Sequence, residues 1–286
     1  MTNIVFVNGN YLPKQEATIS VFDRGFIFGD GVYEVVPVIN GKMVDKIYFL
    51  ERLARSLGEL AIEWPCSSDD VIAMMNELIT RNAIVEGMVY LQITRGIADR
   101  DFAFPAGITS SIVAFASVLN LMNNPAAESG IPVITTPDLR WKRRDIKSVN
   151  LLGQVLAKQD AYSRGGKEGW MVEDGVITEG VSSSAYIVKD NVIITRPLSN
   201  EILPGIRRRT LLELCAAESI KLEQRLFTLD EALGADEAFI SSATTIVLPV
   251  VSIDGQEISS GEPGPITQKL RARYIARLID ESEERL

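Results

Sequence analysis

The sequence of 286 residues is 46% apolar, 23% charged and 7% aromatic, the balance of an ordinary globular protein able to bury a core in one large domain or two modest ones. Its net charge of −9 argues against nucleic acid or an anionic membrane as the main partner, so a site for an anionic ligand has to be a local concentration of positive charge. The chain contains no histidine, which removes Ser-His-Asp and Cys-His triads, histidine-rich zinc sites and histidine general bases, and leaves Lys, Glu, Asp, Tyr, Cys or a cofactor to move protons.

Met1-Thr2-Asn3 has neither a basic start nor a long apolar core, so no signal peptide is expected, and no apolar run reaches the ~20 residues of a membrane helix. The only cysteines, Cys66 and Cys215, lie far apart and form no CxxC pair. A reduced, cytoplasmic setting without a structural metal is expected.

Ile4-Val5-Phe6-Val7 and Tyr11-Leu12 flank Asn8-Gly9, and Val35-Val36-Pro37-Val38-Ile39 and Met43-Val44 flank Asn40-Gly41; both read as hairpins, with Pro37 pointing to an edge or a bulge. Leu50, Leu53, Leu57 and Leu60 recur at helical spacing. Ser67-Ser68-Asp69-Asp70 caps a second helix bearing Val71, Met74, Met75, Leu78 and Ile79. Met88 to Thr94 and Ser111 to Ala116 read as strands, giving an α+β domain over residues 1–119. The polar stretch 120–130, punctuated by Pro125 and Gly130, is expected to be a linker to a larger domain over 131–286. That domain starts with a strand at Pro132-Thr136 and a helix from about Asn150 to Arg164. Hairpins follow at Glu173-Asp174-Gly175 and Asp190-Asn191, then a helix after Pro204-Gly205 and a strand ending at Phe239-Ile240. An Arg- and Glu-rich amphipathic helix from about Ile266 closes the chain.

Five places carry residues capable of chemistry. Leu203-Pro204-Gly205-Ile206-Arg207 opens a helix, whose free N–H groups and dipole suit a phosphate; the alternative is a plain helix start. Neither GxxxxGK[ST] nor GxGxxG is present, so no nucleotide loop is indicated. Ser241-Ser242-Ala243-Thr244-Thr245 is a hydroxyl-rich turn, either a phosphate contact or an ordinary capped turn. Lys147 follows Lys142, Arg143 and Arg144; it is either a solvated charge or a nucleophile, which would need partial desolvation. Glu179, in Thr178-Glu179-Gly180-Val181-Ser182-Ser183-Ser184, is either solvated or a fixed carboxylate facing a protonated ring nitrogen. Arg95 and Arg100 lie on a loop with Asp99, Asp101 and Phe102, where a guanidinium binds a carboxylate or pairs with those aspartates.

In this order the motifs resemble the fold-type IV pyridoxal-phosphate aminotransferases over nearly the whole chain. The likeness rests on Asp23-Arg24-Gly25-Phe26-Ile27-Phe28-Gly29-Asp30-Gly31-Val32-Tyr33-Glu34, Arg52-Leu53, Asp145-Ile146-Lys147-Ser148, Thr178-Glu179-Gly180, Leu203-Pro204-Gly205-Ile206 and the Ser241–Thr245 turn. It implies a two-domain α+β fold, a small α/β domain with a larger β-rich domain bearing helices, acting as a homodimer. It implies that Lys147 carries the pyridoxal phosphate aldehyde and shuttles the substrate proton, while Glu179 keeps the ring nitrogen protonated. Arg52 and the N–H groups of Ile206 and Arg207 after Gly205 would bind the phosphate. Leu203 would pack on the ring and Tyr33 would reach the reacting atoms; Ser182 and Ser183 belong to the expected substrate site.

Thr94-Arg95-Gly96 with Arg100 and Phe104-Pro105 looks most like the D-amino-acid transaminases, in which the arginine at Arg100 holds the substrate carboxylate. The expected reaction exchanges the amino group between a D-amino acid and a 2-oxo acid. Departures from the family pattern stand at Phe102 and Pro37, beside the carboxylate site, at Arg207 and Ala243 in the phosphate cup, and at Phe49. Ser242 and Thr244 flank Ala243 and are the expected substitutes. Branched-chain L-aminotransferase and (R)-amine transaminase are the alternatives within the family, with the lyase branch disfavoured by Ser148-Val149-Asn150; a non-catalytic small-molecule binder is the alternative outside it.

Overall fold

A computed structural model describes residues 3–283, and the Met1-Thr2 start read above for a signal peptide lies outside them. Asn8 and Gly9 take φ of 45° and 91°, and Asn40 and Gly41 take 51° and 75°, the paired left-handed residues that a tight hairpin needs. Strand β1 (Ile4–Val7) therefore folds back on β2 (Asn10–Pro13), and β3 (Gly31–Ile39) on β4 (Lys42–Met43), with a short helix α1 (Arg24–Phe28) between the hairpins. Helices α2 (Lys46–Glu59) and α3 (Ser68–Arg81) and strands β5 (Gly87–Thr94) and β6 (Ser111–Val118) follow. The six strands form one antiparallel sheet in the order β2-β1-β6-β5-β3-β4. Strand β4 covers only Val38 and Ile39 of β3, so Pro37 interrupts no ladder on that side. Ser67 caps α3 in a reciprocal capping box with Asp70, as expected, and Val71, Met74, Met75, Leu78 and Ile79 are all buried. On α2 the buried stripe is Phe49, Arg52, Leu53, Ser56 and Leu57, so two polar residues share the face that packs inward.

The second sheet has nine strands. Past α4 (Ala126–Ser129) come β7 (Ile131–Pro137), α5 (Leu152–Ser163), β8 (Glu168–Glu173), β9 (Val176–Gly180), β10 (Ser184–Lys189) and β11 (Val192–Thr195). Then follow α6 (Ile206–Ala217), β12 (Lys221–Gln224), α7 (Leu229–Leu233), β13 (Glu237–Ser242), β14 (Ile246–Ile253), β15 (Gln256–Glu257) and α8 (Pro265–Glu283). The order is β12-β11-β10-β13-β14-β7-β8-β9, with β15 on β14 and parallel pairs at β11–β12, β14–β7 and β7–β8. Trp170, Phe227, Ile177, Ile240 and Val250 are among the side chains that fill its core. Asp174-Gly175 and Asp190-Asn191 make the two expected hairpin turns, all four with positive φ.

The chain divides into two compact units, and their bounds differ from the expected domains in three places. Leu121 already belongs to the second unit, and it is buried, so 121–130 is not a free linker; α4 lies within it. Ile146–Asn150 belongs to the first unit, as does α8 from Ile279 onward. Ile146–Asn150 is held in the first unit by backbone hydrogen bonding. Tyr33 N–H donates to the Lys147 carbonyl at 3.0 Å, Val149 N–H to the Gly31 carbonyl at 3.0 Å, and Ser148 bridges to Val32. The end of α8 is held by Asn40, whose Nδ2 donates to Ser282 Oγ at 2.9 Å.

Candidate active site

In the first unit Lys147 is half-buried and its Nζ lies 4.2 Å from the centroid of the Tyr33 ring. Its backbone is fixed on both sides, since its carbonyl accepts from Tyr33 and its own N–H donates to Ser56 Oγ at 3.3 Å. Tyr33 stacks on Tyr90 at 5.6 Å, and Tyr90 on Phe115 at 4.7 Å, so the ring beneath the amine belongs to an aromatic row across β3, β5 and β6. Burial, with the neighbouring Tyr33, pushes the Tyr90 hydroxyl up to about 12, and this hydroxyl donates to Gln92. Arg52 is buried against Glu34 in a bidentate pair, Nε to Oε1 at 2.8 Å and Nη2 to Oε2 at 2.6 Å. One edge of the expected phosphate-binding guanidinium is thus held by a fully buried carboxylate.

Arg95 and Arg100 part company. The Arg95 guanidinium grips both oxygens of Asp30, at 2.8 and 3.0 Å, and donates to the Leu60 and Ala61 carbonyls, so it is structural. Arg100 is exposed and rests against the rings of Phe28 and Phe102; it makes no ion pair with Asp99 or Asp101.

In the second unit Glu179 is buried, and the Leu203 N–H reaches its two oxygens at 3.1 and 3.2 Å. Arg140 Nη1 donates to the same carboxylate, while its Nε and Nη2 hold Asp138 at 2.9 and 2.7 Å. Thr178 Oγ1 donates to Asp138 at 2.7 Å, closing the network. Burial pushes the Glu179 carboxyl above its ordinary value against the pull of Arg140 and the Leu203 N–H. Burial also acts to lower the Arg140 guanidinium, but its hydrogen bonds to Asp138 and the charge of Glu179 hold it above its usual range.

Gly205 is the N-cap of α6 and, having no side chain, makes no side-chain cap hydrogen bond to the first turn. A Cβ at Gly205 would stand 2.9 Å from Ser184 Oγ, so the residue has to be small. The Arg207 side chain is buried, and its Nη1 donates to the Tyr274 hydroxyl on α8 at 3.2 Å. Ser242 Oγ bonds Thr245 Oγ1 at 2.9 Å and accepts the Thr245 N–H, so it closes its own turn, whereas Thr244 is half-buried. Ile246, which ends that turn, holds a φ of 62°, a strained geometry for a β-branched residue. Ser182 donates to Glu168 at 3.1 Å. Ser183 Oγ is buried with no partner among the described residues and lies where a Cβ on Gly180 would reach it at 2.1 Å.

Several expectations change. The basic run before Lys147 is paired within the second unit: Lys142 and Arg144 share Glu173 at 3.0 and 2.6 Å, and Arg143 pairs with Asp145 at 3.0 Å. Each of the three cations thus has a carboxylate partner. Ser242 and Ser182 each have their hydroxyl engaged elsewhere, which weakens both as ligand contacts. The contacts of Glu34 with Arg52, Ser56 with Lys147, and Arg140 with Glu179 and Asp138 were not legible in the sequence, although Ser56 and Arg52 at i, i+4 on an apolar stripe were a usable signal. Among the described residues no group of three or more His, Cys, Asp or Glu side chains could hold a metal ion, and no helix is long and apolar enough to cross a membrane.

The first unit thus carries a half-buried lysine hydrogen-bonded along β3, and the second a buried carboxylate and a helix start without a side-chain cap. The chain belongs to the class IV aminotransferases, whose family pattern it matches over residues 31–253. It is 39% identical over 278 residues to the D-alanine aminotransferase of Bacillus licheniformis, covering 97% of this chain and 98% of that one. Identity to the D-alanine aminotransferase of Staphylococcus aureus (strain MSSA476) is 38% over 271 residues, 94% and 96% of the two chains. In structure it superposes on the Escherichia coli branched-chain amino acid aminotransferase with a TM-score of 0.92 at 22% identity, covering 100% and 97% of the two chains. It also superposes on the branched-chain aminotransferase of the archaeon Thermoproteus uzoniensis, solved with norvaline, with a TM-score of 0.86 at 24% identity over 99% and 97%; at such identities the likeness is one of fold. Membership of the class indicates dependence on pyridoxal phosphate.

Proposed function

We propose that this aminotransferase acts on D-amino acids of the D-alanine type, moving their amino group to a 2-oxo acid in a ping-pong cycle, as a cytoplasmic homodimer. The observation that carries the chemistry is Glu179, a buried carboxylate braced from one side by Arg140 and from another by the Leu203 N–H, contacts that favour its charged form against the cost of burial. Such a group shares a proton with a ring nitrogen, and its bracing keeps it from swinging away. Each unit by itself offers groups of the kind pyridoxal phosphate requires: the first an amine, the second a buried carboxylate, a helix start without a side-chain cap, and the unpartnered hydroxyl of Ser183. The D-amino-acid preference is supported by full-length likeness to enzymes named D-alanine aminotransferases.

When bound, the cofactor supplies an aldehyde and an electron sink. Lys147 would hold that aldehyde and carry the substrate proton on Nζ, its backbone fixed on β3 so that the amine returns to one place. Glu179 would keep the proton at the ring nitrogen, with Leu203 packed beside it. The Ile206 and Arg207 N–H groups would receive the phosphate, with Arg52 as the further contact that the family likeness implies, and of the two hydroxyls flanking Ala243 we favour Thr244 because that of Ser242 closes its own turn. Tyr33 would line the reacting atoms, and Arg100 would take the substrate carboxylate beside Phe102.

For the homodimer the support is a stripe on α5. Leu152, Val155 and Leu156 are 71%, 58% and 52% exposed at i, i+3, i+4 spacing, a surface that a partner would cover. The two unpaired cysteines agree with a reducing compartment.

The test is a single-turnover spectral titration of the holoenzyme with D-alanine, L-alanine, L-leucine and (R)-1-phenylethylamine. Conversion of the bound cofactor by D-alanine far faster than by the others is expected. Faster conversion by L-leucine or by the amine would overturn the substrate assignment, and a colourless protein that takes up no cofactor would overturn the chemistry.

A further inference from the structure

Arg100 stands apart from the other arginines of its loop and helix. Arg24 and Arg95 are both buried and both bind Asp30, at 2.8 Å each. Arg100 is exposed and makes no hydrogen bond or ion pair among the described residues. What it does have is two rings. Its guanidinium carbon lies 5.5 Å from the Phe28 centroid and 5.3 Å from that of Phe102, and the two rings are 5.4 Å apart, tilted by 43°. Three nearly equal separations make a triangle, so the cation is not sandwiched. It rests on a V-shaped seat with one side left uncovered. All its N–H donors stay available, because a ring face attracts a guanidinium without accepting a conventional hydrogen bond from it.

The two rings are not equally anchored. Phe102 is 76% exposed on the loop itself. Phe28 ends α1 and is half-buried; the next residue, Gly29, has φ of 68° and its carbonyl accepts from Asn150 Nδ2 at 2.9 Å. The buried Arg24 guanidinium lies 4.8 Å from the Phe28 centroid. That guanidinium also donates to the Asp101 carbonyl at 2.6 Å, tying the loop to α1 next to Arg100.

We propose that Phe28 is a positioning residue for substrate binding: its ring, with that of Phe102, holds the Arg100 guanidinium in the orientation that receives the substrate carboxylate. This rests on the reading of Arg100 given under Proposed function. A seat built from rings replaces the ion pair that would otherwise fix an arginine, and so leaves the whole charge for the ligand.

The experiment is steady-state kinetics of the holoenzyme with D-alanine for the wild type, Phe28→Leu, Phe28→Tyr, Phe102→Leu, Arg100→Ala and the double variant Phe28→Leu/Arg100→Ala. Phe28→Leu is expected to raise KM about fivefold, the size of one exposed cation–ring contact, with any change in kcat smaller. Phe28→Tyr keeps the ring and keeps the wild-type KM. In the Arg100→Ala background Phe28→Leu adds nothing, because the residue acts through Arg100. Phe102→Leu removes the other half of the seat from the exposed loop while leaving every residue of α1 in place, and raises KM in the same Arg100-dependent way, which covers the case of a Phe28→Leu protein that does not fold. The inference is overturned alone when Arg100→Ala raises KM but the ring variants do not, or when they raise it equally with and without Arg100. An Arg100→Ala enzyme with an unchanged KM overturns both it and the carboxylate role of Arg100.

Discussion

The amine of Lys147 lies over the ring of Tyr33, and the same two residues are joined by a backbone hydrogen bond from the Tyr33 N–H to the Lys147 carbonyl. Main chain and side chain of this lysine are therefore both referred to one strand, β3. Lys147→Ala removes the amine without disturbing either the carbonyl or the Ser56 contact to the N–H. The expected product is a folded protein without the absorbance of lysine-bound cofactor and without transamination in a single turnover. A variant that kept both would remove Lys147 from the chemistry.

Glu179 and Arg140 should behave as a unit. Arg140→Leu leaves two carboxylates, Glu179 and Asp138, buried with one guanidinium fewer. Loss of one member of a buried pair costs about 3–5 kcal/mol, which urea unfolding would read directly. Glu179→Gln keeps the shape and removes the titrating group; the rate of amino transfer should fall by about a hundredfold or more, with stability much less affected. Equal rates for Glu179→Gln and wild type would show that the ring-facing role is wrong.

Acid sensitivity should map partly to Glu173. Hydrogen bonds from Arg144 and Lys142 hold its carboxyl down at about 2, below an ordinary value of 4.5. A carboxyl depressed in the folded state binds fewer protons there than in the unfolded chain. Its stabilisation is present above about 4.5 and lost as the pH falls towards about 2. Stability of Glu173→Gln should thus change less between these two values than that of the wild type, measured by urea midpoint against pH. Parallel curves for the two proteins would reject the assignment.

The α5 stripe gives a test of assembly. Val155→Glu places a charge among Leu152 and Leu156, on a face that no residue of its own unit covers fully. Sedimentation velocity should show the wild type as a dimer and the variant shifted to monomer, with the melting temperature falling in step. A wild-type monomer would remove the homodimer from the proposal.

Sequence by itself determined the local elements and the order of the motifs. Asn-Gly pairs have to turn hairpins because they accept left-handed backbone, Ser67 and Asp70 have to cap α3, and the alternation along β5 and β6 has to bury one face. The segment around Lys147 was legible for the same reason: its chemistry lies in a short window. Partnerships between distant side chains were not. Glu34 with Arg52, Arg140 with Glu179, and Phe28 with Arg100 each join residues on different elements, and the basic run before Lys147 turned out to be paired with Glu173 and Asp145. Which carboxylate meets which guanidinium depends on strand register and on how far water is excluded, and neither is written in a local stretch of sequence. Tertiary structure alone decided that Ile146–Asn150 joins the first unit, because the hydrogen bonds that hold it belong to β3.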